Sequence, residues 1–429
     1  MAHYLIAVSP LDGHLMPMLE IGAGLQANGH AVTVLTDTAH ADRVGRAGLT
    51  FAQLDDDARV APPAPAPAWT RHLPVEVRRF LLGRAELTSM FIKPLGAQAD
   101  SLRDLLSAQP VDAILADMAF TGVLPLLLGE APRPPVLVCG VGPLTLSSID
   151  TPPFGMAWQP QPGLDYRQMT TVAHRVIMRG TQRRLNRALR RAGSVPAPMF
   201  LSDWPEHADA LLQLSVPGFE YPRSDLPATV QFVGPVLPAG SADFDPPDWW
   251  DEVAGAKAVI HVTQGTFDNT DLSQLIGPTL TALADRDDCL VIVTTGGRAG
   301  QALPQPIPAN ARVVDWLPYA VLMPCVDVMI TNGGYGGVQY ALRDGVPVIV
   351  AGETSDKAEV AARVDYSGAG IDLGTATPTE DAIRAAVADV ITEPGYRESA
   401  QRLGDEIRTA TPISDICAAL DKHCATWTG

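Results

Sequence analysis

The stretch that decides the fold is residues 4–36, which reads YLIAVSPLDGHLMPMLEIGAGLQANGHAVTVLT. It opens with an apolar run of strand length, and from His14 onward the apolar positions recur with helical spacing. Gly29 ends this helix, and residues 31–35 form a second apolar run. A strand, a helix and a second strand in this order predict a βαβ unit with a parallel sheet.

The same alternation continues on both sides of a linker. In the first half, apolar runs at residues 113–116 and 136–139 extend the sheet. Residues 236–250 are polar and rich in proline, which is typical of a segment between domains. After this linker the alternation restarts with further apolar runs at residues 258–262, 290–294, 326–331 and 346–350. The sequence therefore predicts an α/β protein with two doubly wound domains.

The chain length of 429 residues fits two domains of roughly 200 residues each. We expect an N-terminal domain over residues 1–235 and, after the linker, a C-terminal domain over residues 251–395. Residues 396–429 have helical spacing and are expected to pack back on the N-terminal domain. The alternation of proline and alanine at residues 61–68 predicts a stiff loop.

The composition excludes several classes of protein. Hydrophobic residues make up 46% of the chain, so it can bury large cores and is not disordered as a whole. A net charge of -17 repels the phosphate backbone, and nucleic acid is therefore not an expected partner. The five cysteines fit neither a disulfide framework nor a zinc pattern. The odd number of cysteines indicates a reducing cytoplasm, and we find neither a signal peptide nor a run of about 18 apolar residues. We expect a cytoplasmic protein that is a monomer or a homodimer.

One segment departs from the acidic character of the chain. Eight arginines and no acidic residue occur between Tyr166 and Ser202, several of them at helical spacing. Such a run is typical of a solvated helix face. Alternatively, residues 167–191 make weak peripheral contact with anionic lipid or an anionic acceptor.

Two residues at predicted strand ends are candidates for acid–base chemistry. His14 lies in a strand-to-helix turn, which exposes it at the carboxyl edge of the sheet, and imidazole titrates near neutrality. Asp117 ends another strand at the same edge, where its carboxylate can hold the imidazole. The alternatives are that His14 is a surface residue and that Asp117 caps the helix near Phe120.

The segment 331–339, TNGGYGGVQ, follows an apolar strand and precedes a helix. Its four glycines allow backbone N–H groups to approach a ligand closely, and the helix N-terminus adds positive potential. These features predict a cradle for a diphosphate, although a tight turn is the alternative. The segment is neither a P-loop, which requires Lys-Ser/Thr, nor a nicotinamide-binding fingerprint.

At this point the chain resembles the UDP-glycosyltransferase superfamily of GT-B fold, as found in bacterial natural-product and macrolide glycosyltransferases. The resemblance runs over nearly the whole chain. It begins with the Gly-His-x-x-Pro turn at residues 13–17 and the strand entry at residues 29–33. In the second half it rests on the motifs at 315–318, 332–337, 345–347, 356–357 and 368–370, which occur in the order of the family's donor-binding signature.

The resemblance implies two Rossmann-like domains that face each other across a cleft, and an inverting, metal-independent transfer from a nucleotide sugar. His14 would be the base and Asp117 its partner. The donor would be bound by Thr266, Trp316, Leu317, Asn332, Gly333, Gly334, Tyr335, Gly336, Gly337, Gln339, Glu353, Asp356 and Lys357. Trp316 and Leu317 would hold the nucleobase, and Asp356 and Lys357 would face the sugar. The nucleotide sugar is a co-substrate, and no cofactor or metal is implied.

The chain departs from the family pattern at four positions. Asn332 replaces a histidine, Gly337 a serine or threonine, Tyr340 a glutamate that holds the ribose diol, and Lys357 a glutamine. Loss of the ribose carboxylate makes a dTDP-sugar donor more attractive beside UDP. The departures also leave open a non-catalytic GT-B partner that activates a true transferase. A GT-B epimerase would need carboxylates near the diphosphate that we cannot locate.

The acceptor side is less well marked by the sequence. Apolar residues near loops of the first domain are candidates for acceptor contacts, with core packing as the alternative: Phe80, Met90, Phe91, Phe154, Met156 and Trp158. They favour a polyketide, aromatic or lipid acceptor over a free sugar. The acidic run at residues 55–57 precedes the proline-rich loop and is expected to be an exposed turn rather than a metal site.

Overall fold

Strand β1 (His3–Ala7) is an interior strand of the first sheet, and its apolar side chains are covered on both faces. It leads into helix α1 (Asp12–Ala27) and pairs in parallel with β2 (Ala31–Thr36) and β4 (Ala113–Asp117). The βαβ unit predicted from residues 4–36 is confirmed. The protein was analysed as a computed structural model, which describes residues 1–60, 72–73, 75–238, 244–266, 269–298, 303, 306–353, 356–425 and 427.

The first sheet is entirely parallel and has the order β3-β2-β1-β4-β5-β6-β7. Its remaining strands are β3 (Thr50–Gln53), β5 (Val136–Gly140), β6 (Ala210–Gln213) and β7 (Val230–Phe232). Its other helices are α2 (Ala41–Arg46), α3 (Val75–Glu86), α4 (Leu95–Ala108), α5 (Leu124–Leu127), α6 (Arg167–Val172) and α7 (Arg179–Arg191). One π-helical segment, Leu87–Ile92, follows α3, and another, Ala173–Ile177, follows α6.

The second sheet is also parallel, with the order β10-β9-β8-β11-β12-β13. Its strands are β8 (Ala258–Thr263), β9 (Cys289–Thr294), β10 (Ala311–Val314), β11 (Val328–Thr331), β12 (Val348–Val350) and β13 (Gly370–Asp372). The accompanying helices are α8 (Asp251–Gly255), α9 (Ile276–Ala282), α10 (Tyr319–Leu322), α11 (Tyr335–Arg343), α12 (Lys357–Tyr366) and α13 (Glu380–Thr392). Both sheets reverse strand order beside their first strand, which creates a ligand crevice at the carboxyl edge.

The last two helices divide their packing between the sheets. Helix α14 (Pro394–Thr409) buries Leu403 and Ile407 in the core of the second sheet. Helix α15 (Pro412–Cys424) buries Ile416 and Leu420 in the core that surrounds β1 and α1. The chain therefore returns from the second sheet to the first at its C-terminal end.

The two sheets end and begin on either side of residues 236–250, and we keep that boundary as our proposal for the domain division. Residues 239–243 of this linker, like the proline-rich loop at 61–68, lie outside the described residues. Among the residues that the structure does describe, we find no helix long and apolar enough to cross a membrane.

Candidate active site

His14 lies in the first turn of α1, at the carboxyl edge of the first sheet, and its side chain is 22% exposed. Its Nδ1 atom is 2.6 Å from Oδ1 of Asp117, the last residue of β4. Because β1 and β4 are parallel neighbours, the loop after one strand and the end of the other meet at one edge of the sheet. The structure thus brings the two candidate acid–base residues together.

Asp117 is fully buried, and backbone N–H groups fix its carboxylate. Oδ2 accepts a hydrogen bond from the Ser9 N–H at 3.3 Å, and Oδ1 accepts one from the Ala119 N–H at 3.2 Å. The carboxylate therefore both shapes the local turn and holds the imidazole. When Nδ1–H of His14 donates to Asp117, Nε2 is left with a lone pair that can accept a proton.

The charges around His14 make it a stronger base than a free imidazole. Burial acts to lower the pKa of His14, but the carboxylates of Asp117 and Asp356 together outweigh it and raise that pKa above its ordinary value. The positive form of the imidazole is therefore stabilised once it has taken up a proton.

Asp356 comes from the second sheet and approaches the His14 side of the cleft. It is the residue before α12, and its Oδ2 atom lies beside Gly142, which follows β5. Burial raises the pKa of Asp356, while the positive charges of Lys357 and His14 oppose that effect. The site is therefore assembled from both halves of the chain.

The glycine-rich segment forms the turn between β11 and α11. Gly333 has φ +91°, and a Cβ atom there would lie 2.8 Å from a Val350 side-chain carbon and 3.2 Å from the Lys357 carbonyl oxygen. Glycine is therefore required on both conformational and steric grounds. A Cβ atom at Gly334 or Gly336 would instead meet open space. Beside this space α11 begins at Tyr335, and the first N–H groups of a helix have no acceptor within it.

Two polar residues next to this turn are buried rather than directed into open space. The side-chain amide of Asn332 donates to the carbonyl of Gln264, which ties the β11 turn to the loop after β8. Lys357 is also buried and lines a small cavity together with Gln264 and Glu353. The Asn332 hydrogen bond therefore connects the turn after β11 with the loop after β8, and neither Asn332 nor Lys357 is directed into the open space.

Trp316 is the most open large side chain of the predicted donor site, with 61% of its surface exposed. Its ring lies against Gly297, where a Cβ atom would be 3.6 Å from the indole carbon Cζ2. Gly297 has φ +86°, so the turn presents backbone rather than a side chain beneath the ring. Leu317 packs against the core of the second sheet. An aromatic face with one open side suits stacking of a nucleobase.

Sequence reasoning missed the residues that hold the turn beside the Trp316 ring in place. Asn269 is fully buried, and its amide donates to the carbonyls of Gly265 at 2.9 Å and Thr295 at 3.0 Å. A Cβ atom at Gly296 would lie 2.3 Å from the Gly265 carbonyl oxygen. The available signal was the pair of glycines at 296 and 297, one residue after the end of strand β9.

The remaining predicted donor residues differ in their exposure, and the structure does not bring them to one surface. Thr266 is exposed in the loop after β8. Tyr335 is buried, with its ring centroid 6.2 Å from that of Phe219. Gln339 is buried within α11. The carboxylate of Glu353 forms an ion pair with Arg78 of α3, a partner that sequence reasoning did not find, and accepts the Ala376 N–H at 3.2 Å.

Two of the departures from the family pattern, Gly337 and Tyr340, lie beside Tyr319. A Cβ atom at Gly337 would lie 3.4 Å from the Met329 methyl carbon and from the Tyr319 ring, which is ordinary van der Waals contact. Tyr340 packs edge-on against Tyr319, and its hydroxyl donates to the carbonyl of Pro238 at 2.8 Å. The position of the expected ribose carboxylate is therefore used to anchor the linker.

The predicted acceptor residues lie on two separate segments of the first domain. Phe80 belongs to α3, and Met90 and Phe91 belong to the π-helical segment that follows it. Phe91 packs against the core of the first sheet. The other three residues, Phe154, Met156 and Trp158, lie in the loop between β5 and α6, where Trp158 is exposed.

The acidic run at residues 55–57 is an exposed turn. Asp55 caps it by accepting the N–H of Asp57 at 2.8 Å, and Arg59 pairs with Asp56 at 2.9 Å. In the described part of the chain, the structure contains no group of three or more His, Cys, Asp or Glu side chains that could hold a metal ion.

Comparison with known proteins agrees with this geometry. Residues 278–420 match the family described as erythromycin biosynthesis protein CIII-like, C-terminal domain. The chain is 36% identical to 4'-demethylrebeccamycin synthase of Lentzea aerocolonigenes, over 96% of this chain and 97% of that protein. It is 34% identical to UDP-glycosyltransferase 2 of Phaeomoniella chlamydospora, over 99% and 96% of the two chains. The solved structure of glycosyltransferase VinC in complex with dTDP superposes with a TM-score of 0.64 at 18% identity, covering 99% of each chain.

Two parallel, doubly wound sheets with flanking helices, matched over the whole chain by a solved glycosyltransferase, define the GT-B fold. The chain belongs to the UDP-glycosyltransferase superfamily, as the sequence resemblance predicted. It is an enzyme, a glycosyltransferase of the natural-product type that uses nucleotide sugars. The alternative of a non-catalytic partner protein is set aside.

Proposed function

We propose that the protein transfers a hexose from a nucleotide sugar to a hydroxyl of a small, largely apolar acceptor, with inversion and without a metal ion. The observation that carries the proposal is the contact of 2.6 Å between His14 and the buried carboxylate of Asp117. This pair lies at the carboxyl edge of the first sheet, and Asp356 approaches it from the second sheet.

In the proposed reaction, the oxygen of the acceptor hydroxyl attacks the anomeric carbon of the donor sugar, and Nε2 of His14 takes up the proton of that hydroxyl. Asp117 stabilises the imidazolium that forms. The bond between the anomeric carbon and the diphosphate breaks, and the leaving diphosphate keeps the bonding electrons. The open space beside Gly334 and Gly336 receives it, and the N-terminus of α11 stabilises its charge.

This electrostatic role of the helix terminus is our reason for proposing that no metal ion is needed. Trp316 is proposed to stack on the nucleobase, and Asp356 to bind a sugar hydroxyl. We propose both dTDP and UDP as nucleotides, because relatives of this chain carry either UDP in their name or dTDP in their solved complex.

The acceptor class rests on the apolar residues of the first domain, above all the exposed Trp158. The name of one relative refers to a synthase of demethylrebeccamycin, and the matched family is named after erythromycin biosynthesis. Both names support an aromatic or polyketide acceptor for this chain. The five free cysteines support a reducing, cytoplasmic location.

We also propose weak peripheral contact with anionic membranes through residues 167–191. Leu185 and Leu189 of α7 are buried in the core of the first sheet, which leaves the arginines of α7 on the outer side. Next to them Val176 is 67% exposed, and Val172 and Ile177 are exposed as well. Apolar tips among cationic side chains suit a lipid surface.

The stereochemistry of the product and the effect of chelation test the reaction directly. With an α-linked donor such as dTDP-glucose and 2-naphthol as acceptor, the product is expected to be the β-glycoside, formed at the same rate in excess EDTA. An α-glycoside would exclude a single displacement. Loss of activity in EDTA that Mg²⁺ or Mn²⁺ restores would exclude metal independence.

A further inference from the structure

The loop at residues 153–159, between β5 and α6, has an unusual backbone conformation. Gly155 has φ +95°, and Ala157 has φ +53°. Among the described residues other than glycine, Ala157 is the one with positive φ, and side chains with a Cβ atom rarely adopt that conformation. A strained conformation of this kind persists only where neighbouring groups hold it in place.

The group that holds this loop is a carboxylate from the other half of the chain. Oε1 of Glu359 accepts hydrogen bonds from the N–H of Gly155 at 2.7 Å and from the N–H of Ala157 at 2.9 Å. Glu359 is buried on α12. Two backbone N–H groups that converge on one anionic oxygen form a concave anion-binding turn, and the left-handed residues are what makes them converge.

The second oxygen of Glu359 is also fixed. Oε2 accepts a hydrogen bond from Nη1 of Arg363 at 2.9 Å, one helical turn further along α12. Nε of Arg363 donates to Oε2 of Glu220 at 2.8 Å, and the guanidinium lies 4.5 Å from the centre of the Tyr221 ring. Arg363 and Glu220 are both buried, so the carboxylate of Glu359 is held at a defined place relative to the first domain.

We propose that Glu359 is a positioning residue that shapes the 153–159 loop for the acceptor and couples it to the donor sugar. The coupling runs through α12, because Asp356, whose carboxylate lies beside Gly142 of the first domain, precedes Glu359 by three residues at the start of the same helix. A shift of this helix when the donor binds moves the anchor of the loop that carries Phe154, Met156 and Trp158. This inference rests on the proposed function for the identity of the two ligands.

Hydrogen exchange tests the anchor without requiring activity. In Glu359→Gln the peptide that spans residues 150–160 is expected to exchange about tenfold faster than in the wild type, because charge-assisted hydrogen bonds are lost. Adding dTDP-glucose, whose sugar Asp356 is proposed to bind, is expected to slow exchange of this peptide in the wild type but not in the variant. Glu380→Gln, an exposed carboxylate of α13, serves as the matched control and should behave as wild type.

Kinetics separate positioning from a merely structural role. For Glu359→Gln with dTDP-glucose and 2-naphthol, KM for 2-naphthol is expected to rise about tenfold, with kcat within about threefold and dTDP affinity unchanged. Because Glu359→Gln disturbs a buried ion pair, Ala157→Pro is the second variant. Proline cannot adopt the φ of +53° that Ala157 has, so this variant removes the N–H donor together with the left-handed turn and leaves the ion pairs of Glu359 in place. It should raise KM and exchange in the same direction.

Unchanged exchange of the 150–160 peptide in both variants would overturn the proposed anchor. Faster exchange with an unchanged KM for 2-naphthol would overturn its role in acceptor positioning. Failure of the proposed function is distinguishable from both outcomes, since the wild type itself would then transfer no sugar while the exchange measurement still decides the anchor.

Discussion

His14 and Asp117 form a pair whose chemistry depends on where each residue lies. Asp117 is buried and held by two backbone N–H groups, so its carboxylate cannot rotate away from the imidazole. The pKa of His14 is raised because two carboxylates outweigh the effect of burial. The protonated pair therefore stabilises the fold most below the ordinary pKa of about 6.5, and this contribution is lost as the pH rises through the raised pKa.

The raised pKa of His14 also predicts how catalysis depends on pH. Since His14 must be neutral to act as a base, kcat/KM is expected to rise with pH through the raised pKa of His14. In Asp117→Asn this acidic limb should move to lower pH, and kcat should fall by roughly 10²-fold. Profiles of kcat/KM against pH for the wild type and the variant measure both effects.

The control for this experiment is Asp12→Asn, which removes an exposed carboxylate from the same turn of α1. Asp12→Asn is expected to leave the acidic limb of the kcat/KM profile at the same pH as in the wild type. An acidic limb that stays in place in Asp117→Asn would show that another group controls ionisation in the reaction.

Among the elements, helix α11 carries the residues on which we expect the choice of nucleotide to depend. Tyr340, at the position of the family's ribose-binding glutamate, gives its hydroxyl to the carbonyl of Pro238. Its neighbour Gln339 is buried and offers a neutral amide. Hydrogen bonding to the two ribose hydroxyls is therefore expected to be weaker than in relatives that keep the carboxylate.

Weaker binding of the ribose diol predicts that dTDP binds at least as tightly as UDP. The 2′-hydroxyl of UDP finds no carboxylate at position 340, and the deoxyribose of dTDP has no 2′-hydroxyl. A charge-assisted hydrogen bond contributes roughly 1.5–3 kcal/mol, so its loss should weaken UDP binding by about tenfold or more. Calorimetry of the two nucleotides measures the ratio. If UDP bound tenfold more tightly than dTDP, some other residue would have to hold the ribose.

The strands next to the main motifs could be predicted from the sequence, because the pattern that indicates each strand lies within a few consecutive residues. Apolar runs determine β1, β4, β8 and β11, and the carboxyl ends of parallel strands bring His14 and Asp117 to one edge. The open space at Gly334 and Gly336 likewise follows from a glycine-rich turn before a helix.

Contacts between elements that are distant in sequence could not be predicted. Glu359 and Gly155 are separated by 204 residues, and Arg78 and Glu353 by 275. A single sequence carries no signal for such pairs, because a buried glutamate on a helix looks like any other helical glutamate. The same holds for Asn269, whose amide ties together turns after two different strands.

At the scale of the whole molecule, the arginine-rich face of α7 contrasts with a net charge of -17. We expect the protein to bind vesicles of phosphatidylcholine with phosphatidylglycerol and not vesicles of phosphatidylcholine alone, and to be released by salt. Each arginine near the surface contributes about 1 kcal/mol, so Arg183→Gln with Arg187→Gln should weaken binding about 30-fold.

Sedimentation with vesicles measures this binding. The matched control replaces Arg402 and Arg408 of α14 by glutamine, two exposed arginines on a different helix. Equal binding to neutral and anionic vesicles, or an equal loss in the control, would contradict membrane contact through this face and leave it as a solvated helix.

The central claim is that His14 is the base, supplied by the first domain, for a reaction whose donor is held by the second. His14→Ala tests it most directly, with transfer from dTDP-glucose to 2-naphthol measured beside dTDP affinity by calorimetry. We expect turnover to fall by roughly 10²-fold or more while dTDP affinity changes less than about twofold. Turnover within about tenfold of the wild type would contradict the claim, because no other side chain has been assigned to take the acceptor proton.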